Sequence, residues 1–304
     1  HPDLVLILSG DHIYKMDYAV FIAHHLEKKA DVTLATIRVP ISEASRFGII
    51  NTDTDERVVS FVEKPDDPQS NLVNMGVYCF NANILDQALW QDHLTPTSTH
   101  DFGKDVIPAL VQNGARVFSY YYAGYWMDVG TLESYWEAHM GLLEKPPSFE
   151  LNDRGWIIHT KTEEHAPVRI ETGAKVENSL ISDGCVLEPG AEVVHSVLSP
   201  GVRISANARI HDSIILTDTV IGHNALIHQS ILDKRVHIGA NVKIGQPLTE
   251  GLRLTTIGRN AMIPDETIIE AGATIGTDVH APDLPTRHIQ SGITIYTRRL
   301  PNEL

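Results

Sequence analysis

Residues 1–145 alternate apolar runs with segments of helical spacing. The run LVLILSG at 4–10 is almost continuously apolar, which is typical of a strand buried on both faces. Residues 16–30 have helical spacing, and residues 31–39 indicate the next strand, so we expect a parallel pair joined by a right-handed crossover. Further strands are predicted at 47–51, 57–62, 73–80 and 116–122, and further helices at 82–90, 102–113 and 132–144. The layout predicts an α/β domain with a mixed sheet.

The second half of the chain repeats itself. An aliphatic residue recurs every 17 positions, at Ile170, Leu187, Ile204, Ile221 and Ile238. A second aliphatic residue follows each of these six positions later, at Val176, Val193, Ile210, Ile227 and Ile244. After an irregular stretch, the six-residue step resumes at Ile257, Ile263, Ile269 and Ile275. Such a step places an aliphatic side chain at each inward corner of a triangular coil, and each coil needs neighbours to bury them. The pattern resembles the hexapeptide-repeat, left-handed parallel β-helix.

The segment KPPSFELNDRG at 145–155 separates the two patterns, because it has two prolines and no periodicity. We therefore predict an α/β domain at 1–145, a linker at 146–165 and a β-helix at 166–304. The last predicted helix of the first domain has Thr131 as its candidate N-cap, with Glu133 in its first turn.

Composition excludes several classes of function. The formal net charge of −15 argues against binding to nucleic acids or to anionic membranes, which attract basic surfaces. No apolar run is long enough to span a bilayer. The two cysteines, Cys79 and Cys185, lie in strand-like apolar settings, so we expect buried free thiols in a reducing, cytoplasmic compartment. The sixteen histidines are expected to be packed or solvated rather than metal ligands.

Two aspartates lie where strands end. Asp11 follows Gly10 at the end of the first predicted strand, and ligands bind at the carboxyl ends of strands in open α/β sheets. Asp128 lies between an aromatic-rich strand and a helix. The alternatives are that Asp11 is an ordinary turn residue and that Asp128 is a charge that stabilises the N-terminus of the following helix. If the two converge, they repel by about 4 kcal/mol at about 4 Å and an effective dielectric near 20, and a bound Mg²⁺ would turn that cost into attraction.

Three further charged residues are candidates for a ligand site. Glu63 and Lys64 end the run RVVSFVEKP, where lysine suits a phosphate and glutamate can accept from sugar hydroxyls. Pro65 biases Lys64 toward an extended backbone, and an exposed ion pair at a strand end is the alternative. Asp101 opens DFGKDVIPAL, and from composition a helix N-cap is the better interpretation.

In combination, six motifs resemble the glucose-1-phosphate adenylyltransferases, or ADP-glucose pyrophosphorylases. They run in order as GDHIYKMDY, RFGII, FVEKP, NMGVYCFN, DFGKDVIP and YWMDVGTLESYWEA, followed by the β-helix. The resemblance implies a Rossmann-like nucleotidyltransferase domain at 1–145. It also implies formation of ADP-glucose and pyrophosphate from ATP and glucose 1-phosphate with Mg²⁺, for glycogen or starch synthesis.

The same resemblance implies the roles of individual residues. Asp11 and Asp128 would be the catalytic, Mg²⁺-binding aspartates. Glu63 and Lys64 would hold glucose 1-phosphate, with Lys64 on its phosphate. The sugar pocket would be shaped by Gly48, Asp101, Tyr125 and Trp126. Asn74 stands where the family more often has serine, at a position that meets the sugar phosphate.

The family also has properties that reach beyond these motifs. Its Gly-rich nucleotide loop precedes the GDH strand, so we expect that loop to lie outside this sequence and this chain alone to turn over slowly or not at all. A homotetramer and phosphorylated sugar effectors are implied, and Arg287, Arg298 and Arg299 form a candidate basic cluster. The alternatives are a non-catalytic regulatory subunit, a sugar-1-phosphate uridylyl- or guanylyltransferase, and a hexapeptide acyltransferase that uses a coil histidine.

Overall fold

A computed structural model describes residues 2–160, 164–245 and 251–299. The chain divides into two compact units, His1–Asp128 and Val129–Leu304. Part of the predicted linker, 161–163, and part of the irregular stretch, 246–250, lie outside the described residues. The domain boundaries proposed from the sequence stay predictions.

The first unit is built around a mixed sheet. Its strands are β1 (Leu4–Ile7), β2 (His12–Tyr14), β3 (Val32–Arg38), β4 (Gly48–Thr52), β5 (Val58–Glu63), β6 (Leu72–Asn81), β7 (Val117–Tyr121) and β8 (Trp126–Asp128). Its α-helices are α1 (Tyr18–Glu27), α2 (Ala82–His93) and α3 (Ile107–Gln112). The main sheet has the order β5-β4-β6-β3-β7, with β1 also paired to β6, while β2 and β8 form a separate ladder. The predicted α/β class with a mixed sheet is confirmed.

Strand β6 corrects two expectations about the first apolar run. Both β1 and β3 pair antiparallel with β6, so they are parallel to each other but are not neighbours as predicted. Strand β1 ends at Ile7 and is only half-buried, not buried on both faces. Among the described residues it has one hydrogen-bonded neighbour, β6, which leaves its other edge less covered.

The predicted helix at 102–113 has two parts. A π-helix at Phe102–Val106 precedes α3, and Asp101 caps it by accepting from the backbone N–H groups of Gly103 and Lys104. Helix α3 begins at Ile107 with Pro108 in its first turn. Proline has no backbone N–H and is tolerated at the start of a helix rather than in its interior, which explains the break.

Helix α4 (Leu132–Gly141) belongs to the second unit. The Thr131 hydroxyl accepts from the backbone N–H of Ser134, which confirms the predicted N-cap. Met140 packs with Ile214 and Ile231 of the solenoid, and the Trp136 indole N–H donates to the backbone carbonyl of Asp212 at 2.8 Å.

The rest of the second unit is a parallel β-solenoid with three faces, whose strands we number β9 to β28 in chain order. One face contains β9 (Arg169–Ile170), β12 (Val186–Leu187), β15 (Arg203–Ile204), β18 (Val220–Ile221), β21 (His237–Ile238) and β24 (Met262–Ile263). The second contains β10 (Lys175–Glu177), β13 (Glu192–Val194), β16 (Arg209–His211), β19 (Leu226–His228), β22 (Lys243–Ile244), β25 (Ile268–Ile269) and β27 (His288–Ile289). The third contains β11 (Leu180–Ile181), β14 (Val197–Leu198), β17 (Ile214–Ile215), β20 (Ser230–Leu232), β23 (Thr255–Ile257), β26 (Thr274–Ile275) and β28 (Thr294–Ile295).

The 17-residue repeat is the register of this solenoid. Leu187 pairs with Ile204, and Ile204 pairs with Ile221 in the next coil. These aliphatic residues are fully buried, as the six-residue step predicts. Ile170 and Val176 in the first described coil are the exceptions among the predicted inward residues, since they are 53% and 38% exposed. The predicted hexapeptide β-helix is therefore confirmed as a parallel β-solenoid.

Other sequence expectations have simple outcomes. Cys79 and Cys185 are buried free thiols, as expected, and burial raises the pKa of Cys79 to about 11. The guanidinium groups of Arg287 and Arg299 donate to the backbone carbonyls of Asp265 and Asp278, so they brace the coils. None of the helices in the described ranges is both long and apolar enough to cross a bilayer.

Candidate functional site

The first unit contains an open cavity of about 370 Å³, lined in part by residues of β4, β5 and β6. Six of the nine site residues predicted from the sequence line it: Gly48, Glu63, Lys64, Asn74, Asp101 and Asp128. Eight other residues complete the lining: His12, Arg46, Phe47, Gly76, Tyr78, His100, Phe102 and Gly103. The motifs that are far apart in the chain therefore converge on one cavity.

Glu63 lies in a space that two glycines keep open. Gly48 is its cross-strand partner, and a Cβ atom at Gly48 would lie 2.7 Å from the Glu63 carboxylate. A Cβ atom at Gly103 would lie 2.6 Å from the same carboxylate. The pKa of Glu63 is raised above its usual value, because the effect of burial outweighs the opposing effect of the nearby Lys64 charge. The glycines thus allow an acceptor to be held in a sheltered position.

Lys64 does not have the extended backbone that Pro65 suggested. Its φ is +45°, in the left-handed region, and its backbone N–H donates to the carbonyl of Phe47 at 3.2 Å. Strand β5 ends at Glu63, so the strict alternation of side chains ends there too. This is why two consecutive residues both line the cavity. The Lys64 side chain is 63% exposed, and its ammonium nitrogen lies 4.0 Å from the Glu63 carboxylate.

Asn74 and Tyr78 form a fixed polar pair on β6. The Asn74 amide donates to the Tyr78 hydroxyl at 2.7 Å, and its carbonyl oxygen accepts from the backbone N–H of Gly76 at 3.2 Å. Burial raises the pKa of Tyr78 to about 12, so the phenol is neutral and can both donate and accept. Its ring stacks on Phe102 with centroids 5.8 Å apart.

Asp101 is placed for both of the roles considered for it, because it caps the π-helix and also lines the cavity. Its Oδ1 accepts from the N–H groups of Gly103 and Lys104 at 2.8 and 2.9 Å. The neighbouring His100 Nδ1 contacts the Asp92 carboxylate at 2.7 Å, which holds that ring at the rim.

The two predicted metal-binding aspartates converge. The β2–β8 ladder places His12 opposite Asp128, and Asp11 immediately precedes His12. Ligand atoms of Asp11, His12 and Asp128 all lie within 4.8 Å of one another. The Ser9 hydroxyl donates to Asp11 at 2.7 Å, and this bond holds the pKa of that carboxyl below its usual range. Two carboxylates and an imidazole are a donor set that fits a divalent cation.

Tyr125 and Trp126 do not line this cavity. The Tyr125 hydroxyl contacts the Met127 sulfur at 3.6 Å. The half-buried Trp126 ring packs edge-on against His12 and against Phe47, with centroids 5.2 Å away in each case. Trp126 therefore supports the wall from behind, and the role of either residue toward a sugar stays a prediction.

Sequence reasoning missed several residues that line the cavity. Arg46 and Phe47 lie beside Gly48 in the motif RFGII, and the Arg46 guanidinium lies 5.5 Å from the Phe47 ring centroid. His12 lies within the motif GDH, in which only Asp11 was predicted to be a site residue. Tyr78 had no signal, because a tyrosine in a strand is usually a packing residue.

This arrangement separates two kinds of chemistry within one cavity. Lys64 and Arg46 carry positive charge that could bind a phosphate, while Glu63, Asp101, Asn74 and Tyr78 offer acceptors and donors that could bind hydroxyl groups. The carboxylates of Asp11 and Asp128 could hold a cation. A small phosphorylated polyol next to a cation matches all three sets.

Comparison with known proteins agrees with this geometry. Residues 1–145 match the family model "Nucleotidyl transferase", and residues 166–258 match "GlmU-like, C-terminal hexapeptide". Proteins named glucose-1-phosphate adenylyltransferase from Bacillus thuringiensis (strain Al Hakam) and Bacillus mycoides (strain KBAB4) are each 52% identical over 187 residues. The alignment covers 62% of this chain and 50% of each relative, so the chain spans about half the length of the curated relatives it matches. These findings confirm the resemblance found in the motifs: residues 1–145 match a nucleotidyl transferase domain, and a hexapeptide β-solenoid follows in the same chain.

Proposed function

We propose that the protein at its full natural length makes ADP-glucose and pyrophosphate from ATP and α-D-glucose 1-phosphate. The observation that carries this proposal is the convergence of Lys64, Glu63 and Asp101 on the same cavity as Asp128. The relatives named glucose-1-phosphate adenylyltransferase support the choice of ATP and glucose 1-phosphate as the substrates.

In the proposed complex, the chain holds the sugar phosphate from two sides. Lys64 neutralises the phosphate, with Arg46 as a second cation at the rim. Glu63 accepts from sugar hydroxyls in the space that Gly48 and Gly103 leave open. Asn74, held by Tyr78, presents a fixed amide toward the phosphate end.

The reaction needs no covalent intermediate on the protein. An oxygen of the sugar phosphate attacks the α-phosphorus of ATP in line, the bond between that phosphorus and the β-bridging oxygen breaks, and pyrophosphate leaves with the electron pair. The residues of this chain orient the attacking phosphate and offset its charge, which is what phosphoryl-transfer chemistry requires of a protein. Asp11 and Asp128 would hold Mg²⁺, which when bound neutralises the triphosphate and stabilises the leaving group.

The proposal extends to assembly, regulation and location. By family resemblance, the protein is a cytoplasmic homotetramer that phosphorylated sugars regulate. Free, buried cysteines are consistent with a reducing compartment. A non-catalytic subunit is disfavoured because Asp11, Lys64 and Asp128 are present and their elements meet at one site.

A panel of nucleotides tests the proposal. The full-length protein is incubated with glucose 1-phosphate, Mg²⁺ and either ATP, UTP, GTP or dTTP, and nucleotide sugars are separated by chromatography. We expect ADP-glucose as the main product. Preferred use of UTP or GTP would assign the protein to another sugar nucleotidyltransferase, and acetyl transfer from acetyl-CoA in a parallel assay would favour the acyltransferase alternative.

A further inference from the structure

A backbone carbonyl group determines which ring nitrogen of the neutral His12 side chain carries the proton. Its Nδ1 lies 2.7 Å from the backbone carbonyl oxygen of Met75. A carbonyl oxygen can only accept, so Nδ1 carries the proton and donates. In the neutral imidazole, Nε2 is then an unprotonated nitrogen with a lone pair. A hydrogen bond from the second nitrogen to a backbone carbonyl is the arrangement that orients metal-binding histidines in proteins.

The Nε2 atom faces the two aspartates. It lies 3.6 Å from the Asp11 carboxylate and 4.0 Å from the Asp128 carboxylate. Both distances are too long for a direct hydrogen bond. They lie between the roughly 3 Å and 4 Å that separate adjacent and opposite ligands around an octahedral ion with bonds of about 2.1 Å. Small side-chain rotations are therefore enough for all three groups to reach one cation.

The ring is held in this orientation. The His12 side chain is 12% exposed and packs edge-on against Trp126. Gly76 makes room for it, because a Cβ atom at Gly76 would lie 3.3 Å from His12 Cε1. The β2–β8 ladder fixes the position of the backbone opposite Asp128. An oriented, sheltered imidazole needs little rearrangement to bind an ion.

We propose that His12 Nε2 is a third protein ligand of the divalent cation and biases this site toward Mn²⁺ and Co²⁺ relative to Mg²⁺. Mg²⁺ strongly prefers oxygen ligands, whereas later divalent metals accept an imidazole nitrogen readily. The proposal deepens the proposed function, because the cation is the one that the reaction would use. Metal binding itself requires no turnover, so the two can fail separately.

Electron paramagnetic resonance of Mn²⁺ tests the proposal on the full-length protein without nucleotide or sugar. We expect the electron spin echo of bound Mn²⁺ to show ¹⁴N modulation from a directly bound nitrogen. His12→Asn keeps an amide that can donate to the Met75 carbonyl but removes the Nε2 lone pair. It is expected to abolish the modulation and weaken Mn²⁺ binding by about tenfold or more. Competition with Mg²⁺ should show a change of less than about threefold in Mg²⁺ affinity.

Two variants separate ligation from a structural effect. His93→Asn, at an exposed position near the end of α2, should leave both the modulation and the affinity unchanged. His12→Gln places an amide oxygen near the Nε2 position, so Mn²⁺ binding should stay weakened and the ¹⁴N modulation absent, while Mg²⁺ affinity stays within about threefold of the wild type. Circular dichroism confirms folding in each case. Absence of Mn²⁺ binding, absence of ¹⁴N modulation in the wild type, or equal loss of Mg²⁺ and Mn²⁺ in His12→Asn would overturn the proposal. ADP-glucose formation is measured separately, and its failure would contradict the proposed function alone.

Discussion

At the scale of single residues, Lys64 is the side chain that most directly links the cavity to a phosphorylated substrate. Lys64→Met removes its charge and preserves much of its length. A charge-assisted hydrogen bond contributes about 1.5–3 kcal/mol, so we expect KM for glucose 1-phosphate to rise by about 10- to 100-fold while KM for ATP changes little. Steady-state kinetics with each substrate varied in turn measures this.

Lys104 provides the matched control, because it follows Asp101 closely but does not line the cavity. Lys104→Met should leave both KM values within about twofold of the wild type, as expected for an exposed charge. Equal effects of the two substitutions would show that Lys64 acts through the general field of the protein rather than through contact with phosphate.

We expect the Glu63 carboxylate to lower the stability of the folded protein while it contributes to sugar binding. Its pKa is raised by burial, so the folded protein favours the protonated form more than the unfolded chain does. The stabilisation from proton uptake is complete below the unfolded pKa and is lost as pH rises through the folded pKa. At about pH 7 the ionised carboxylate therefore costs stability.

Glu63→Gln should consequently raise the melting temperature at about pH 7, and the gain should shrink as pH falls toward the ordinary carboxyl range near 4.3. The same substitution should weaken sugar binding. Calorimetric melting at several pH values is the measurement, with the exposed Glu27→Gln on α1 as the control. A gain that grows as pH falls would contradict the assigned direction of the pKa shift.

The residues that sequence reasoning could find are those within charged motifs at strand ends. Asp11, Glu63, Lys64 and Asp128 are visible because a charge after an apolar run is unusual. The backbone of Lys64 was predicted wrongly, because the bias from Pro65 is local, whereas the contact with the Phe47 carbonyl comes from the residue that precedes β4. Tyr78 could not be found, since its polar role depends on Asn74 and on burial by tertiary packing.

At the scale of elements, caps and breaks are well predicted wherever a local side chain decides them. Thr131 and Asp101 both cap as their positions suggest, because an N-cap needs only the next few residues. The adjacency of β1 and β3 was not predictable in this way. Strand β6, about forty residues further along, separates them, and no local pattern encodes that insertion.

Thr131→Ala tests the cap of α4. Its hydroxyl and that of Ser134 form a capping box that satisfies otherwise unpaired backbone groups. Loss of such a cap costs about 1 kcal/mol, so we expect a decrease of that size in the free energy of unfolding of the second unit. Denaturant unfolding followed by tryptophan fluorescence measures it, since Trp136 lies on α4.

Thr54→Ala, at an exposed turn of the first unit, provides the comparison and should change stability by less than about 0.5 kcal/mol. A loss at Thr131 no larger than that at Thr54 would mean that water replaces the cap without cost.

At the scale of the whole molecule, the solenoid was the most predictable part of the chain. Its period is written directly in the sequence, and each coil repeats the same environment. The end of the array was less predictable, because position within the stack decides burial. Ile170 and Ile204 occupy the same place in the repeat, yet Ile170 is exposed and Ile204 is fully buried.

Ile170 and Ile204 give a test in which the side chain is the same and only its burial differs. Ile204→Ala leaves a cavity between coils and should lower the free energy of unfolding by about 2–5 kcal/mol. Ile170→Ala should cost less than about 1 kcal/mol, because little apolar surface is lost from contact. Thermal unfolding of the two variants in the full chain compares them directly. Similar losses would indicate that another surface covers the first coil in solution.

The central claim is that the sugar-phosphate residues and the cation-binding aspartates act on one reaction. The most direct test measures ADP-glucose and pyrophosphate by phosphorus NMR after incubating the full-length protein with ATP, glucose 1-phosphate and Mg²⁺. We expect equal amounts of both products from the wild type. We also expect a loss of about 100-fold or more in Asp128→Asn, which removes a charged ligand of the cation while circular dichroism stays unchanged. No ADP-glucose from the wild type, or undiminished turnover in Asp128→Asn, would contradict a shared role of these residues in one reaction.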